Sequence, residues 1–328
     1  MSPTPTSSLA TLRPEIAGSL MEFATASDRM GFIGAKCFPV FNVAKKSGSF
    51  GKIPIEQLLQ TRNTRRAPGG GYARSTWTFT SASYACKEHG AEEPVDDTES
   101  EMYAEYFDAE MVSAERALDA VLRNAEIRYA AAMFNATTFA DQTTSVTNEW
   151  DSNHTTDADP IGDVETAVRA VWARCGLWPN AIAFNRHVFR NLRLLDQITE
   201  RIEASGAGAP AKATDITPQM IAQCFDLPYV FVAGSAKNTA NEGQDAAIDD
   251  IWSSEYANVF RVATRNDIRE PCLGRTMHWG ADGSQIGGTV ESYREEQARS
   301  DIVRVRHDVD ELNLHTESAQ LLDNVTTI

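Results

Sequence analysis

The 328-residue sequence predicts a mixed α+β fold. Three observations carry that prediction. From Asp96 to Asn135 there is no glycine or proline, and apolar residues recur in steps of three and four. Residues 160–233 alternate helical and strand patterns. Beyond about residue 248 the chain reads as a succession of strands.

Residues 1–50 alternate short apolar groups with Gly, Pro and Ser. The Pro/Thr/Ser bias of MSPTPTSSLATLRPEIAG is that of an arm too polar to bury itself. GFIGAKCFPVFNV has strand character and no helical period. GKIPIEQLLQ (51–60) starts extended, and Pro54 keeps it off a central strand. In ARSTWTFTSASYACKEHG, Trp77, Phe79 and Tyr84 fit half-buried strand positions. Pro68, Gly69, Gly70 and Gly71 lie between these runs, and glycine tolerates the positive φ that a reversal needs. Residues 51–90 therefore predict a long two-stranded loop. It must lie on something, because an isolated hairpin of that length is marginal in water.

Tyr103, Phe107, Met111, Ala114, Leu118, Val121, Ala125, Tyr129 and Ala132 share one face of an amphipathic helix. Asp97, Thr98 or Ser100 can cap it, and acids crowd its first turns, where the helix dipole favours them. About 35 residues at 1.5 Å each predict one rod about 50 Å long. Residues 136–160 read as a polar connector. DVETAVRAVWARCG predicts a helix with Asp163 as N-cap and Gly176 as terminator. NAIAFN is a strand, and NRHVFRNLRLLDQITERI a second helix capped by Asn185. SGAGAPAKAT (205–214) is a loop. TPQMIAQCFDL is a helix with Thr217 as N-cap and Pro218 at its first position, and YVFVAG is a strand. DIWSSEYANVFRV, PCLGRTMHWG, TVESYREE and DIVRVRHDVDELNLHT complete the strand-rich end.

Charge and motifs exclude several functions. Forty-six acids against 30 Lys+Arg give a net charge of −16, the wrong sign for a general nucleic-acid binder, which needs cations on phosphate. No apolar run approaches a membrane span of about 20 residues, and the N-terminus lacks the layout of a signal peptide. The five cysteines contain no CxxC pair, so they read as reduced, buried thiols. The six histidines lie far apart. There is no GxSxG, GxxxxGK[ST] or HExxH. GSQIGG reads as a turn between strands. No cofactor or metal is implied.

What remains is charge placement. Arg62, Arg65, Arg66 and Arg74 flank the glycine tip Gly69–Gly71 in a stretch without an acid. From Glu88 to Glu110 there are ten acids and no Lys or Arg. The bland reading is two solvated faces. A projecting basic finger and an acidic strip in one chain also suit head-to-tail pairing between copies, which closes into rings or shells.

Arm, long two-stranded loop, very long helix, α/β unit and returning strands, in that order, resemble the major capsid protein of tailed bacteriophages, the Hong Kong 97 fold. The likeness spans essentially the whole chain. GDVETAVRAVWARCGLWPNAIAFNRHVFRNLRLL, LPYVFVAGSAKNTA and VESYREEQARSDIVRVRHDVDELNLHTESAQLLDNV also read like family sequence. The resemblance implies an N-terminal arm (1–50), an E-loop (51–95), a P-domain with its spine helix (96–150), an A-domain around the capsomer axis (151–269), P-domain strands (270–311) and a tail returning to the A-domain (312–328). The loop 205–214 would lie near the capsomer centre.

The implied function is a structural shell subunit, not an enzyme. Hexamers and pentamers would enclose double-stranded DNA in a virion assembled in the bacterial cytoplasm. A separate scaffolding protein, a portal and a decoration protein are possible partners; no membrane is. Arg62, Arg65, Arg66 and Arg74 are the candidates to meet Glu92, Glu93, Asp96, Asp97 and Glu99 of a neighbour. Some relatives crosslink a loop lysine to an asparagine. Here Lys52 and Lys87 lie far from the tip, so noncovalent assembly is expected. The rivals are an encapsulin-like nanocompartment, a soluble α/β enzyme with residues 51–90 as a lid, and a tail-tube or sheath protein.

Overall fold

The computed structural model describes Thr11–Leu12 and residues 31–52, 54, 59–61, 64–66, 68–72, 74, 78, 80–103, 108–151, 153–204, 215–241 and 243–327. Most of the expected arm, Arg62, the side chain of Glu99 and the loop 205–214 lie outside the described residues.

Strand β1 (Thr11–Leu12) precedes helix α1 (Gly34–Cys37) and strand β2 (Val40–Val43). The segment expected to be extended throughout thus holds one helical turn. It ends at Phe38, which precedes Pro39, because the proline ring disfavours helical dihedrals in the residue before it. Strands β3 (Ser47–Lys52) and β4 (Thr80–Ala85) form the expected hairpin, in register from Ser47↔Ala85 to Lys52↔Thr80. It begins at Ser47, inside the span read as arm. Strand β5 (Lys87–Asp96) leaves the hairpin and joins the main sheet.

The single rod expected from Asp96 to Asn135 is two helices, α2 (Asp97–Tyr103) and α3 (Ala109–Met133). Asp108 is extended (φ −79°, ψ 109°), and its carboxylate accepts from the N–H groups of Glu110 and Met111. Aspartate offers the backbone a cap in place of the next turn, so a helix can restart without glycine or proline. The 25 residues of α3 span about 38 Å.

The expected polar connector is structured. A 3₁₀ turn (Ala140–Gln142) leads into strand β6 (Thr143–Ser145), and Trp150 is fully buried. Helix α4 (Pro160–Cys175) starts earlier than expected. Asp159, not Asp163, is its N-cap, because Pro160 occupies the first position, where a missing N–H does no harm. Gly176 ends it in the left-handed conformation (φ 67°), as expected. Strand β7 (Ala181–Asn185) follows. The next helix is divided into α5 (Arg186–Leu192), capped by Asn185, and α6 (Asp196–Ile202). Helix α7 (Pro218–Phe225), with Thr217 as N-cap, and strand β8 (Tyr229–Ala233) match the sequence reading. Short strands β9 (Ala236–Asn238) and β10 (Ile248–Asp250) pair with each other. Strands β11 (Ala257–Phe260), β12 (Gly274–Trp279), β13 (Thr289–Glu295), β14 (Ser300–Asn313) and β15 (Ala319–Asp323) complete the chain.

Two sheets organise these elements. The first runs β1-β13-β14-β12-β2, with β5 also paired to β14 from Ser300↔Asp96 to Val309↔Lys87. The second runs β6-β15-β11-β7-β8. All five residues of β7 are buried, as a central strand covered on both faces requires.

Helix α3 joins the two sheets. Its first half packs Ala114, Ala117 and Leu118 on Val290, Val303 and Val305 of the first sheet. Its second half packs Tyr129, Ala130 and Met133 with Phe38, Trp252, Phe260 and Leu321, beside the second sheet. A separate core under α4 to α7 holds Val168, Ile182, Phe184, Leu192, Ile221 and Trp150. The apolar stripe read from the sequence is therefore real from Ala114 to Ala132; Met111 is exposed, and Phe107 and the side chain of Tyr103 lie outside the described residues.

Candidate functional site

The β3–β4 hairpin projects from the first sheet and is bolted to it by polar contacts at its base. Lys46 Nζ lies 2.6 Å from Asp308 and stacks 5.2 Å above the Trp279 ring. The Ala85 N–H donates to Asp310 Oδ2 at 2.9 Å, and Lys52 Nζ donates to the Leu314 carbonyl at 2.7 Å. Asp308 is fully buried, so its pairing with Lys46 is much less screened than a surface pair would be.

The tip is bare. Gly69 has φ +79°, and a Cβ added at Gly69 or Gly71 would meet nothing within 4 Å. Arg66 shapes the turn: its Nε donates to the Gly70 carbonyl at 2.6 Å, and its guanidinium lies 5.3 Å from the Tyr72 ring centre. Tyr72 is 72 % exposed. Arg65, Arg66 and Arg74 are all exposed; Arg62 lies outside the described residues.

The acids of the strip lie on β5 and α2. Glu92 is 3.6 Å from Arg304 and accepts from the Tyr293 hydroxyl at 3.4 Å. Glu93 is 3.8 Å from Arg116. Asp96 accepts from the Thr98 N–H. Asp97 takes a two-pronged hydrogen bond from Arg294 at 2.6 and 2.7 Å, which holds its carboxyl below the usual range. Within one chain the finger arginines and the strip acids do not meet among the described contacts, and three of the acids have an arginine of their own. Among the described residues β5 pairs only with β14, so its second edge is open; Pro94 and the glutamates suit such an edge.

Among the described residues nothing resembles a catalytic constellation. Among the described residues no group of three or more His, Cys, Asp or Glu could hold a metal ion. All five cysteines are free and buried. Burial pushes their thiols up, Cys86 to about 11, away from the nucleophilic thiolate. His307 is buried and bonded to the Ile286 carbonyl. No described helix is long and apolar enough to cross a membrane.

Comparison with known proteins agrees with this geometry. No protein-family model matches the chain. In sequence it is 22 % identical over 277 residues to the major capsid protein of Burkholderia phage BcepMu, covering 83 % of this chain and 84 % of that one. A phage-related protein from Bordetella bronchiseptica RB50 superposes with a TM-score of 0.67 at 20 % identity, covering 96 % and 98 % of the two chains. The capsid structure of cyanophage P-SCSP1u gives 0.58 at 12 % identity over 88 % and 86 %. The fold is that of a phage capsid protein. The same capsid fold brings in the SrpI encapsulin of Synechococcus elongatus PCC 7942, at 0.53 and 11 % identity over 89 % and 86 %.

Sequence reading found the basic and acidic stretches but missed how the β3–β4 hairpin is held. Lys46, Asp308 and Asp310 carry no local signature, since their partners lie on distant strands.

Proposed function

We propose that the chain is a major capsid protein: a structural shell subunit and not an enzyme. The observation that carries this reading is the sequence match to a phage major capsid protein over most of both chains, because a shared fold alone does not fix function. Hexamers and pentamers would tile an icosahedral shell around double-stranded DNA, assembled in the bacterial cytoplasm and retained in the virion. A separate scaffolding protein, a portal and a decoration protein are the further partners this role calls for.

In this reading the β3–β4 hairpin and the residues it joins form the E-loop, and α3 is the spine helix. Residues 151–269 are the A-domain, with loop 205–214 toward the capsomer axis. The finger lies across a neighbouring copy, where Arg62, Arg65, Arg66 and Arg74 meet acids among Glu92, Glu93, Asp96, Asp97 and Glu99. Each exposed pair contributes only about 0–1 kcal/mol; repetition over many interfaces and buried apolar area do the rest. The intrachain arginine partners do not forbid this, since a carboxylate has lone pairs for a second donor. Assembly is noncovalent, and Lys52 is occupied by Leu314 and Glu317. The net charge of −16 lets packaged DNA slide without sticking.

Changing all four arginines to glutamate is expected to abolish or misdirect assembly while far-UV circular dichroism stays that of the wild type. Normal shells from that variant would remove the pairing. The encapsulin reading shares the fold, but the sequence match favours the phage; purified shells holding a protein cargo instead of DNA would reverse that preference.

A further inference from the structure

Trp172 and Trp178 stack on the surface with ring centres 5.5 Å apart and planes 24° apart. They are 48 % and 56 % exposed. Of the other described indoles, Trp150 and Trp252 are fully buried and each donates its Nε1–H to a carboxylate, while Trp279 is half-buried beneath Lys46. A stacked, half-exposed tryptophan pair is the kind of anchor that dominates protein–protein interfaces.

Leu177, adjacent to Trp178 in the chain, lines a cavity of about 580 Å³ at the base of the hairpin, together with Phe50, Leu59, Ile268 and Pro271. Two cations line it, Arg269 and Lys52, the latter also 3.8 Å from Glu317. An apolar cavity with a basic rim, in a chain of net charge −16, calls for an occupant that is acidic and carries an exposed apolar side chain.

The chain has such a surface. Met102 on α2 is 64 % exposed, Met111 and Val112 on α3 are each 37 % exposed, and Glu101 and Asp108 beside them are exposed. Methionine adapts its shape to an irregular pocket. No other described residue of the chain covers either surface. We infer that the Trp172–Trp178 pair and its adjoining cavity receive the Met102 face of a second copy of this chain. The inference rests on the shell reading above and extends its interface.

The test is a chain carrying both Met102→Cys and Leu177→Cys, assembled and mildly oxidised. The native thiols are buried, so only the introduced pair is free to link. The expected result is a ladder of linked subunits on a non-reducing gel, absent from either single variant. Intact shells without a ladder would overturn this inference and leave the shell reading standing. Should the double variant fail to assemble, Trp172→Ala with Trp178→Ala decides. It is expected to raise the concentration needed for assembly by more than about tenfold in folded subunits, and an unchanged threshold overturns the inference. A wild-type chain that forms no shells at all would remove the shell reading and this inference with it.

Discussion

Replacing Glu126 by alanine is expected to destabilise the subunit by about 3–5 kcal/mol, and to lower its unfolding temperature by roughly 5–10 °C. Glu126 is only 3 % exposed, on the buried face of α3. Its Oε1 accepts from the Ile33 N–H and from Trp252 Nε1, both at 2.7 Å, and its Oε2 from the Gly34 N–H at 3.0 Å. One carboxylate therefore ties the segment entering α1, the long helix and the chain leading into β11. Alanine leaves three buried donors without an acceptor, each costing about 1–3 kcal/mol, and opens a cavity besides. Burial pushes the Glu126 carboxyl above its usual range, while the three donors pull it back. Glu126→Gln keeps the shape but turns an amide NH2 toward N–H donors, so it is expected to recover only part of the loss. Urea unfolding of unassembled subunits checks both. An alanine variant within about 1 kcal/mol of wild type would show that water or a rearranged segment replaces the carboxylate.

Acid is expected to weaken the subunit by about 3 kcal/mol through His307 alone. Burial lowers the pKa of this imidazole from 6.5 to about 4; Arg128 and His89 act in the same direction, while the Ile286 carbonyl and Glu311 oppose them. The folded state thus favours the neutral ring. The contribution is fully present above pH 6.5 and is lost as pH falls from 6.5 toward 4. The native carboxylates held below their usual range, such as Asp97 and Asp282, lose stability at lower pH still, so the histidine has to be isolated by difference. Subunits carrying His307→Gln, which cannot ionise, should lose about 3 kcal/mol less than wild type between pH 7 and 4 in urea unfolding. Parallel pH profiles for the two proteins would contradict this role. His307 lies on β14 opposite His89 of β5 in the register. The pairing of the acidic edge strand is therefore the place where acid loosening would begin.

Much of this architecture is legible where a local cause suffices. Asn185 and Thr217 cap their helices through their own side chains, Gly176 ends α4 because glycine accepts the left-handed turn, and the apolar stripe of α3 reports its two cores. Misreadings arise where the cause is distant or subtle. The rod breaks at Asp108 because a carboxylate caps a new helix, and the absence of glycine and proline says nothing about that. Strand β6 is Thr-Thr-Ser, polar enough to read as connector; its strand character comes from pairing with β15, from Leu321↔Thr143 to Asp323↔Ser145. Glu126 carries no local signal, because its partners are 92 to 126 residues away. The base of the hairpin is held across 225 residues, by Ala85 and Asp310. The basic finger and the acidic strip were visible as composition, but the arginine partners that the acids already hold within the chain were not.

The most direct test of the central claim is negative-stain electron microscopy, with light-scattering mass, on the purified chain expressed alone and then with a scaffolding protein added. The shell reading predicts closed shells or capsomer rings in one of these two conditions. A compact monomer of 36.0 kDa that persists in both would contradict it.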